Sequence, residues 1–257
     1  MKTFEGKVVI VTGASSGIGE AAALKFAQEG ANVVVAARRE DRGHAVVDRI
    51  EALGVKGQFV QTDVSIGVQV ERLIEKTLET FGRLDCAVNN AGISGPVSAP
   101  IAHIEENEWD AVMNINLRGV WLCMKHEIRA MLKTGKGAIV NVSSAYGYRP
   151  SDMGHAPYCA SKYGVIGLSK TAAIDYAAAG IRVNVVAPGY TRSEIVEPYL
   201  EAAPKLMKIL LSRYSSMNRV AESSETAEAI AWLCSDASSF VNGTVLPVDG
   251  GEVGKLY

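Results

Sequence analysis

Short apolar runs alternate with segments of helical periodicity along the chain, and this alternation constrains the fold more than any other feature. The runs are apolar on both faces, which is typical of parallel strands covered by helices on each side. The predicted strands are KVVIV, NVVVA, GQFVQT, LDCAVNN, AIVNVS, IRVNVVA and TVLPV, and the predicted helices are 18–29, 40–53, 67–81, 105–132 and 158–179. The pattern predicts a doubly wound α/β fold. No linker, composition break or repeat divides residues 1–257, so we expect a single domain.

The composition argues against several classes of function. The chain is 48% hydrophobic and 21% charged, with a formal net charge of −2 and scattered Lys and Arg, so neither nucleic acid nor a membrane is an expected partner. The four cysteines lie far apart and form no CxxC or Cys/His pattern, so we expect reduced thiols in a cytoplasmic protein and no metal site. No apolar stretch approaches the ~18 residues of a membrane span. A small-molecule partner is favoured.

The first predicted strand leads into TGASSGIG, residues 12–19, at the start of a helix. Glycines there allow a tight turn and close backbone approach, and the helix N-terminus offers N–H groups to a phosphate. The spacing G-x-x-x-G-x-G differs from the usual dinucleotide fingerprint, and no P-loop lysine follows. We interpret the segment as the phosphate-binding turn of a Rossmann-type fold, with a turn that binds no ligand as the alternative.

The same residues contain a competing motif. Gly13 to Gly17 fits the G-x-S-x-G nucleophile elbow of α/β-hydrolases, with Ser15 as the nucleophile. An elbow after the first strand leaves no earlier loop to supply an oxyanion donor, and no histidine has a triad context. A serine hydrolase is therefore a remote alternative.

Two arginines follow the second predicted strand. Arg38 and Arg39 stand where a dinucleotide fold usually has an acidic residue that binds the ribose 2′-hydroxyl. An arginine can instead pair bidentately with a 2′-phosphate. NADP(H) is therefore favoured, NAD(H) stays possible, and solvated arginines at a helix entry are the alternative.

Polar residues also follow the third and fourth predicted strands. Asp63 ends one strand, and the NNAG segment at 89–92 ends the next. The carboxyl ends of strands collect ligand groups in open α/β sheets, although Asn, Asp and Gly also favour turns.

In YCASK, residues 158–162, a helix would place Tyr158 and Lys162 on one face. A tyrosine titrates near ~10, but a cation roughly 5 Å away lowers its pKa by about two units at an effective dielectric of about 20. Such a tyrosine can exchange a proton with a substrate hydroxyl near neutral pH. For an isolated pair, simple packing is the more common explanation, so the assignment depends on the rest of the chain.

Taken together, these segments resemble the short-chain dehydrogenase/reductase family, in its single-domain branch. The resemblance covers essentially the whole chain and rests on TGASSGIG, NNAG, NIN at 114–116, SSAYG from Ser143, YCASK, and APGYTRS at 187–193. Their occurrence in this order is more specific than any one motif.

The resemblance implies that Tyr158 is the general acid/base and that Lys162 lowers its pKa and holds the nicotinamide ribose. It implies that Ser144, preferred to Ser143, binds the substrate oxygen, and that Asn116 fixes a water linking Lys162 to solvent. The implied cofactor-binding residues are Gly13, Ser15, Ser16, Gly17, Ile18, Gly19, Arg38, Arg39, Asp63, Val64, Asn90, Ala91, Gly92, Tyr158, Lys162, Pro188, Gly189, Thr191 and Ser193. The implied substrate-binding residues are Ser144, Tyr146, His155, Tyr158 and Tyr190. For His155 taken alone, a capping or surface position is favoured over a polar role in the pocket.

Residues 190–220 are rich in apolar side chains and follow the sixth predicted strand. They could form a substrate lid over an apolar pocket or an ordinary packed helical insertion. Small residues around the helix predicted at 158–179 allow close packing on two sides, and the resemblance points to a homotetramer.

The expected function is reversible hydride transfer between a nicotinamide cofactor and an aliphatic or cyclic alcohol or ketone. The alternative from another class is a dinucleotide-binding redox sensor without turnover.

Overall fold

One sheet of seven parallel strands forms the centre of the molecule. The strands are β1 (Val8–Thr12), β2 (Asn32–Ala37), β3 (Gly57–Gln61), β4 (Cys86–Asn89), β5 (Gly137–Val142), β6 (Ile181–Pro188) and β7 (Val245–Val248), and their order is β3-β2-β1-β4-β5-β6-β7. This computed structural model describes residues 2–255, so residues 1, 256 and 257 of the predicted domain lie outside the described residues.

Helices cover both faces of the sheet. They are α1 (Gly17–Gln28), α2 (Glu40–Glu51), α3 (Gly67–Phe81), α4 (Glu106–Met113), α5 (Gly119–Met131), α6 (Ala156–Tyr176), α7 (Glu197–Ala202), α8 (Pro204–Tyr214) and α9 (Ser223–Cys234). Successive strand residues point to opposite faces: Val9 and Val11 pack toward α1, α2 and α9, whereas Ile10 packs with buried residues of α3, α5 and α6. The predicted single-domain, doubly wound α/β fold is therefore confirmed.

The strand order reverses at β1, which pairs with β2 on one side and β4 on the other. In an open α/β sheet, the loops that leave two such strands diverge and open a crevice at the carboxyl ends. The turn after β1 and the NNAG segment after β4 both lie at this crevice.

The ends of α1 and α2 differ from the predicted ones by one or two residues, and two other predicted helices differ more. The helix predicted at 105–132 contains a π-helical turn, Asn114–Arg118, between α4 and α5. The helix predicted at 158–179 begins two residues earlier, at Ala156, because Pro157 is compatible with a first helical turn. It ends at Tyr176. Tyr158 is therefore the third residue of the helix, within its first turn, rather than its first residue.

Residues 190–220 contain α7 and α8. Met207, Leu210 and Tyr214 of α8 are buried and pack with Met153 and Tyr190 outside the main core. Between residues 2 and 255, no helix combines the length and apolar character needed to cross a membrane.

Candidate active site

A cleft of about 560 Å³ opens at the carboxyl ends of β1 to β6. Most of the residues predicted to bind the cofactor line it: Gly13, Ser15, Ser16, Gly17, Ile18, Arg38, Arg39, Asp63, Val64, Asn90, Ala91, Gly92, Tyr158, Lys162, Pro188, Gly189, Thr191 and Ser193. Ser144 also lines the cleft, whereas Gly19 and Asn116 lie behind its wall. The fold thus brings together residues that lie between positions 13 and 198 of the chain.

The turn after β1 requires its glycines. Gly13 has a φ of +65°, and a Cβ on it would lie 2.8 Å from the Cα of Ala91. A Cβ on Gly19 would lie 2.4 Å from the carbonyl oxygen of Gly13. The Asn90 side chain donates to the carbonyl oxygen of Thr12 at 3.1 Å, which joins this turn to the end of β4. The backbone can therefore approach a ligand closely, and the cradle fits the pyrophosphate of a dinucleotide.

Polar groups converge beside this turn. The guanidinium of Arg39 donates to the hydroxyl oxygens of Ser15 at 3.0 Å and Ser16 at 3.1 Å. Arg38 lines the same cleft. The partner of the Ser15 hydroxyl is thus an arginine rather than a histidine, so the nucleophile-elbow interpretation of Ser15 is wrong. Sequence spacing suggested the elbow, but the group that faces Ser15 cannot act as a base.

Tyr158 and Lys162 face the cleft from the first turns of α6, with the Lys162 ammonium 5.5 Å from the centre of the Tyr158 ring. Burial raises the pKa of Tyr158 to about 12, and a hydrogen bond with Ser144 opposes the rise only in part. The Lys162 ammonium donates to the carbonyl oxygen of Val142 at 2.9 Å, and burial lowers its pKa to about 8. The pKa of Tyr158 is thus raised rather than lowered as predicted, because burial disfavours the charged phenolate.

The two serines that follow β5 point in different directions. The Ser143 hydroxyl donates to the carbonyl oxygen of Lys162 at 2.9 Å, which ties β5 to α6. The Ser144 hydroxyl accepts from the backbone N–H of Tyr146 and is hydrogen-bonded to Tyr158. Ser144 is therefore the serine beside the candidate acid/base group.

Asn116 is fully buried in the π-helical turn. Its amide oxygen accepts from the N–H of Ile93, and its amide nitrogen donates to the carbonyl oxygen of the same residue, both at 2.9 Å. A Cβ on Gly92 would lie 3.3 Å from the Asn116 amide oxygen and 3.6 Å from the Lys162 ammonium. The wider turn thus places Asn116 behind the wall, close to Lys162.

A second, smaller cavity of about 120 Å³ adjoins the cleft and shares Ser144 and Tyr158 with it. Tyr146, His155 and Tyr190 form its polar wall, and the Tyr146 and Tyr190 hydroxyls lie 3.3 Å apart. The opposite wall is apolar and includes side chains from the start of the 190–220 segment and from α8: Ile195, Val196, Leu206, Met207 and Leu210. All five predicted substrate-binding residues therefore line one pocket.

His155 contributes an unpaired nitrogen to this pocket. Its ring lies 5.7 Å from that of Tyr146 and 6.3 Å from that of Tyr158. Nδ1 lies 3.2 Å from the Ser151 hydroxyl, but the buried Nε2 has no hydrogen-bond partner among the described residues. Burial lowers the pKa of His155, which favours the neutral ring. His155 occupies the N-cap position of α6, which agrees with a capping position, but its ring makes no capping hydrogen bond and lines the pocket instead.

A buried ion pair supports the pocket, and the sequence did not indicate it. Arg149 donates from Nε to the Glu252 carboxylate at 2.8 Å, and its guanidinium lies 4.3 Å from the ring centres of both Tyr146 and Tyr214. Burial raises the pKa of Glu252. Glu252 follows the last strand without any motif, so only its contacts identify it.

A further acidic residue at the cleft was not predicted. Glu194 accepts hydrogen bonds from Arg39 and Ser16 and also pairs with Arg42. The one available signal was its position directly after Ser193, at the end of the APGYTRS segment.

Comparison with known proteins agrees with this geometry. Residues 13–252 match the family described as Enoyl-(Acyl carrier protein) reductase. The chain is 46% identical over 246 residues to an A-factor type gamma-butyrolactone 1'-reductase (1S-forming) from Streptomyces virginiae, covering 95% of each chain. It is 42% identical over 253 residues to a cis-4-hydroxycyclohexanecarboxylate dehydrogenase from Sinomonas cyclohexanicum, covering 97% of this chain and 98% of the relative.

A solved structure shares the whole fold. It is described as a candidate 2-deoxy-d-gluconate 3-dehydrogenase from Agrobacterium tumefaciens with bound NADP, with a TM-score of 0.89, 33% identity and 98% of both chains covered. The similarity in sequence and in structure thus extends over nearly the full length of the chain. The chain belongs to the short-chain dehydrogenase/reductase family, whose members use a nicotinamide dinucleotide to oxidise alcohols or reduce ketones.

Proposed function

We propose that this enzyme transfers a hydride reversibly between NADP(H) and a compact alcohol or ketone, with Tyr158 as the general acid/base. The observation that carries the proposal is that the two cavities share Ser144 and Tyr158. A cofactor in the larger cavity and a substrate in the smaller one would therefore meet beside a hydroxyl that can exchange a proton.

The reduction divides the work between cofactor and protein. A reduced nicotinamide held in the larger cavity would supply the hydride that the carbonyl carbon accepts. Tyr158 gives its phenolic proton to the carbonyl oxygen as the carbon–oxygen double bond becomes single, and Ser144 stabilises the same oxygen through its hydroxyl. Oxidation of the alcohol runs the same proton step in reverse.

Lys162 and Asn116 act behind Tyr158. The buried Lys162 lines the cleft and has its ammonium near the phenol, and it is the residue we propose to bind the nicotinamide ribose. Asn116 holds the turn at residues 92–93 next to Lys162 and is the residue we propose to fix a water that links Lys162 to solvent.

NADP(H) is the proposed cofactor because Arg38 and Arg39 follow β2 and Arg39 reaches Ser15 and Ser16 of the glycine-rich turn. Hydroxyl groups and a guanidinium are the donors that a 2′-phosphate requires. The structural relative from Agrobacterium tumefaciens binds NADP, which agrees with this choice. NAD(H) remains the second candidate.

The proposed substrate is neutral and about the size of one ring. The cavity of about 120 Å³ is comparable with the roughly 150 Å³ that holds a benzene molecule. The Arg149 charge is already paired with Glu252, so it is not free to bind an acidic substrate. The names of the relatives from Streptomyces virginiae and Sinomonas cyclohexanicum both specify ring compounds, the second of them a carboxylate, so they support the ring and the pairing of Arg149 carries the neutral charge. Residues 190–220, which supply much of the apolar wall, are the proposed lid.

A panel of cyclic and linear alcohols and ketones, followed at the nicotinamide absorbance with NADPH and NADH in parallel, tests this function. We expect turnover of small cyclic substrates with NADPH. Tyr158→Phe should remove turnover while cofactor affinity, measured by titration, stays close to that of the wild type. Near-normal activity of Tyr158→Phe would refute the assignment, and cofactor binding with no turnover across the panel would favour the redox sensor.

We also propose a homotetramer in the cytoplasm. Large apolar side chains are exposed on three helices and on the segment after the last of them: Trp121 on α5, Tyr163 and Ile174 on α6, Trp232 on α9, and Phe240. Exposed apolar side chains of this size are consistent with burial between subunits of a closed symmetric assembly. The four free cysteines agree with a reducing compartment. Sedimentation as a monomer at micromolar concentration would contradict the assembly.

A further inference from the structure

Glu194 places a carboxylate where the polar groups of the cofactor cleft converge. It accepts hydrogen bonds from both terminal nitrogens of Arg39 at 2.7 Å and from the Ser16 hydroxyl at 2.9 Å, and it also pairs with Arg42. The hydrogen bonds from Arg39 hold the pKa of Glu194 down to about 2, so the group is an anion at neutral pH. A negative charge thus occupies this donor cluster.

The donors around Glu194 are those assigned above to the adenosine 2′-phosphate. Arg39 and Ser16 cannot give the same N–H and O–H groups to a carboxylate and to a phosphate at once. A carboxylate left beside a 2′-phosphate would also repel it. NADP(H) and Glu194 are therefore competitors for one site, whereas NAD(H) has no phosphate to compete.

Glu194 is also connected to the proposed lid. The N–H groups of Val196 and Glu197 donate to the carbonyl oxygen of Ser193 at 3.0 and 2.8 Å, which leads the chain directly into α7. Ile195 and Val196 line both the cofactor cleft and the substrate pocket. A movement of Glu194 would therefore be transmitted to the substrate wall.

We propose that Glu194 is an internal occupant of the 2′-phosphate site, and that NADP(H), but not NAD(H), displaces it and so releases the start of the lid. The inference rests on the proposed function, since it needs a nicotinamide cofactor in this cleft. It gives the enzyme a way to couple the identity of its cofactor to the shape of its substrate pocket.

The test measures binding rather than turnover. Adenosine 2′,5′-bisphosphate, AMP, NADP⁺ and NAD⁺ are titrated calorimetrically into the wild type and Glu194→Gln. The matched control is Glu197→Gln, because Glu197 is an exposed carboxylate of the same segment that pairs with Arg192 instead. We expect Glu194→Gln to bind the two 2′-phosphorylated ligands about threefold to fivefold more tightly, the upper part of the range for exposed ion pairs. AMP and NAD⁺ affinities should stay within about twofold, and Glu197→Gln should resemble the wild type.

Hydrogen exchange separates displacement from simple charge repulsion. In the wild type, adenosine 2′,5′-bisphosphate should speed the exchange of amides at 194–202, and AMP should not. The proposal would be overturned if adenosine 2′,5′-bisphosphate left the amide exchange at 194–202 unchanged, or if Glu194→Gln bound all four ligands more tightly by the same factor. If the wild type binds NADP⁺ and Glu194→Gln binds it with the same affinity, this inference fails and the proposed function does not. If the wild type binds neither dinucleotide, the proposed function fails with it.

Discussion

Replacing Glu252 by glutamine removes one charge from a buried ion pair and leaves the other in place. The side chains of Glu252 and Arg149 are 1% and 6% exposed, so water cannot replace the lost partner. Arg149 would keep its hydrogen bond to the carbonyl oxygen of Pro150 and its stacking between Tyr146 and Tyr214, but no carboxylate would neutralise it.

The size of the loss follows from this burial. Breaking a buried pair by removing one partner costs about 3 to 5 kcal/mol, because a charge stays buried without compensation. Glutamine keeps an acceptor oxygen for Arg149, so we expect the lower end, about 3 kcal/mol of unfolding free energy. The pair also supports the Tyr146 wall, so a higher KM for the pocket's substrate should accompany the loss.

Urea unfolding at one fixed protein concentration measures the effect. The surface control is Asp236→Asn, because Asp236 is 76% exposed and its partner Lys136 is 66% exposed. We expect this substitution to lower the unfolding free energy by less than about 1 kcal/mol. The double variant Arg149→Met with Glu252→Met should recover most of the stability, since it buries no charge. A loss for Glu252→Gln no larger than that for Asp236→Asn would refute the reasoning.

Three other residues give sharp tests. Burial raises the pKa of Glu127 from 4.5 to about 8, so the unfolded chain releases this proton at a lower pH than the folded chain does. The unfolding free energy should therefore fall as the pH rises between those two values. Glu127→Gln should flatten that fall in urea melts, and an unchanged slope would contradict it. His155→Phe removes the unpaired Nε2, which could hydrogen-bond a second oxygen of the substrate. It should raise KM about tenfold for ketones that carry a second oxygen and change it little for simple ketones. Equal effects on both kinds of ketone would argue against a hydrogen bond between Nε2 and the substrate. Gly19→Ala would put a Cβ 2.4 Å from the Gly13 carbonyl oxygen and should weaken cofactor binding in titrations by at least about tenfold. Gly167→Ala meets no described atom within 4 Å and should bind normally, so similar losses in both variants would exclude the steric explanation.

Local periodicity was enough to predict the layers of the fold. The helix predicted at 67–81 is α3 without change, because its apolar spacing and the glycine that follows it are short-range signals. The π-helical turn at Asn114–Arg118 was not predictable in this way, since it interrupts a pattern that reads as one continuous helix. The turn nevertheless positions Asn116, so the irregularity matters for the site.

Contacts between distant residues account for what the sequence did not reveal about the site. Glu194 meets Arg39 across 155 positions, and Glu252 meets Arg149 across 103. No motif connects either pair. His155 illustrates the same limit at short range, because its spacing from Tyr158 could not show that the ring turns into the pocket rather than to solvent.

By itself, the sequence determined the order of strands and helices, the glycine-rich turn, and the four-residue spacing of Tyr158 and Lys162, because these depend on neighbours along the chain. Only the tertiary structure decided which groups face one another and how far water is excluded from them. The pKa of Tyr158 shows the difference: the distance to Lys162 follows from helical geometry, but burial, which no local pattern encodes, sets the direction of the shift.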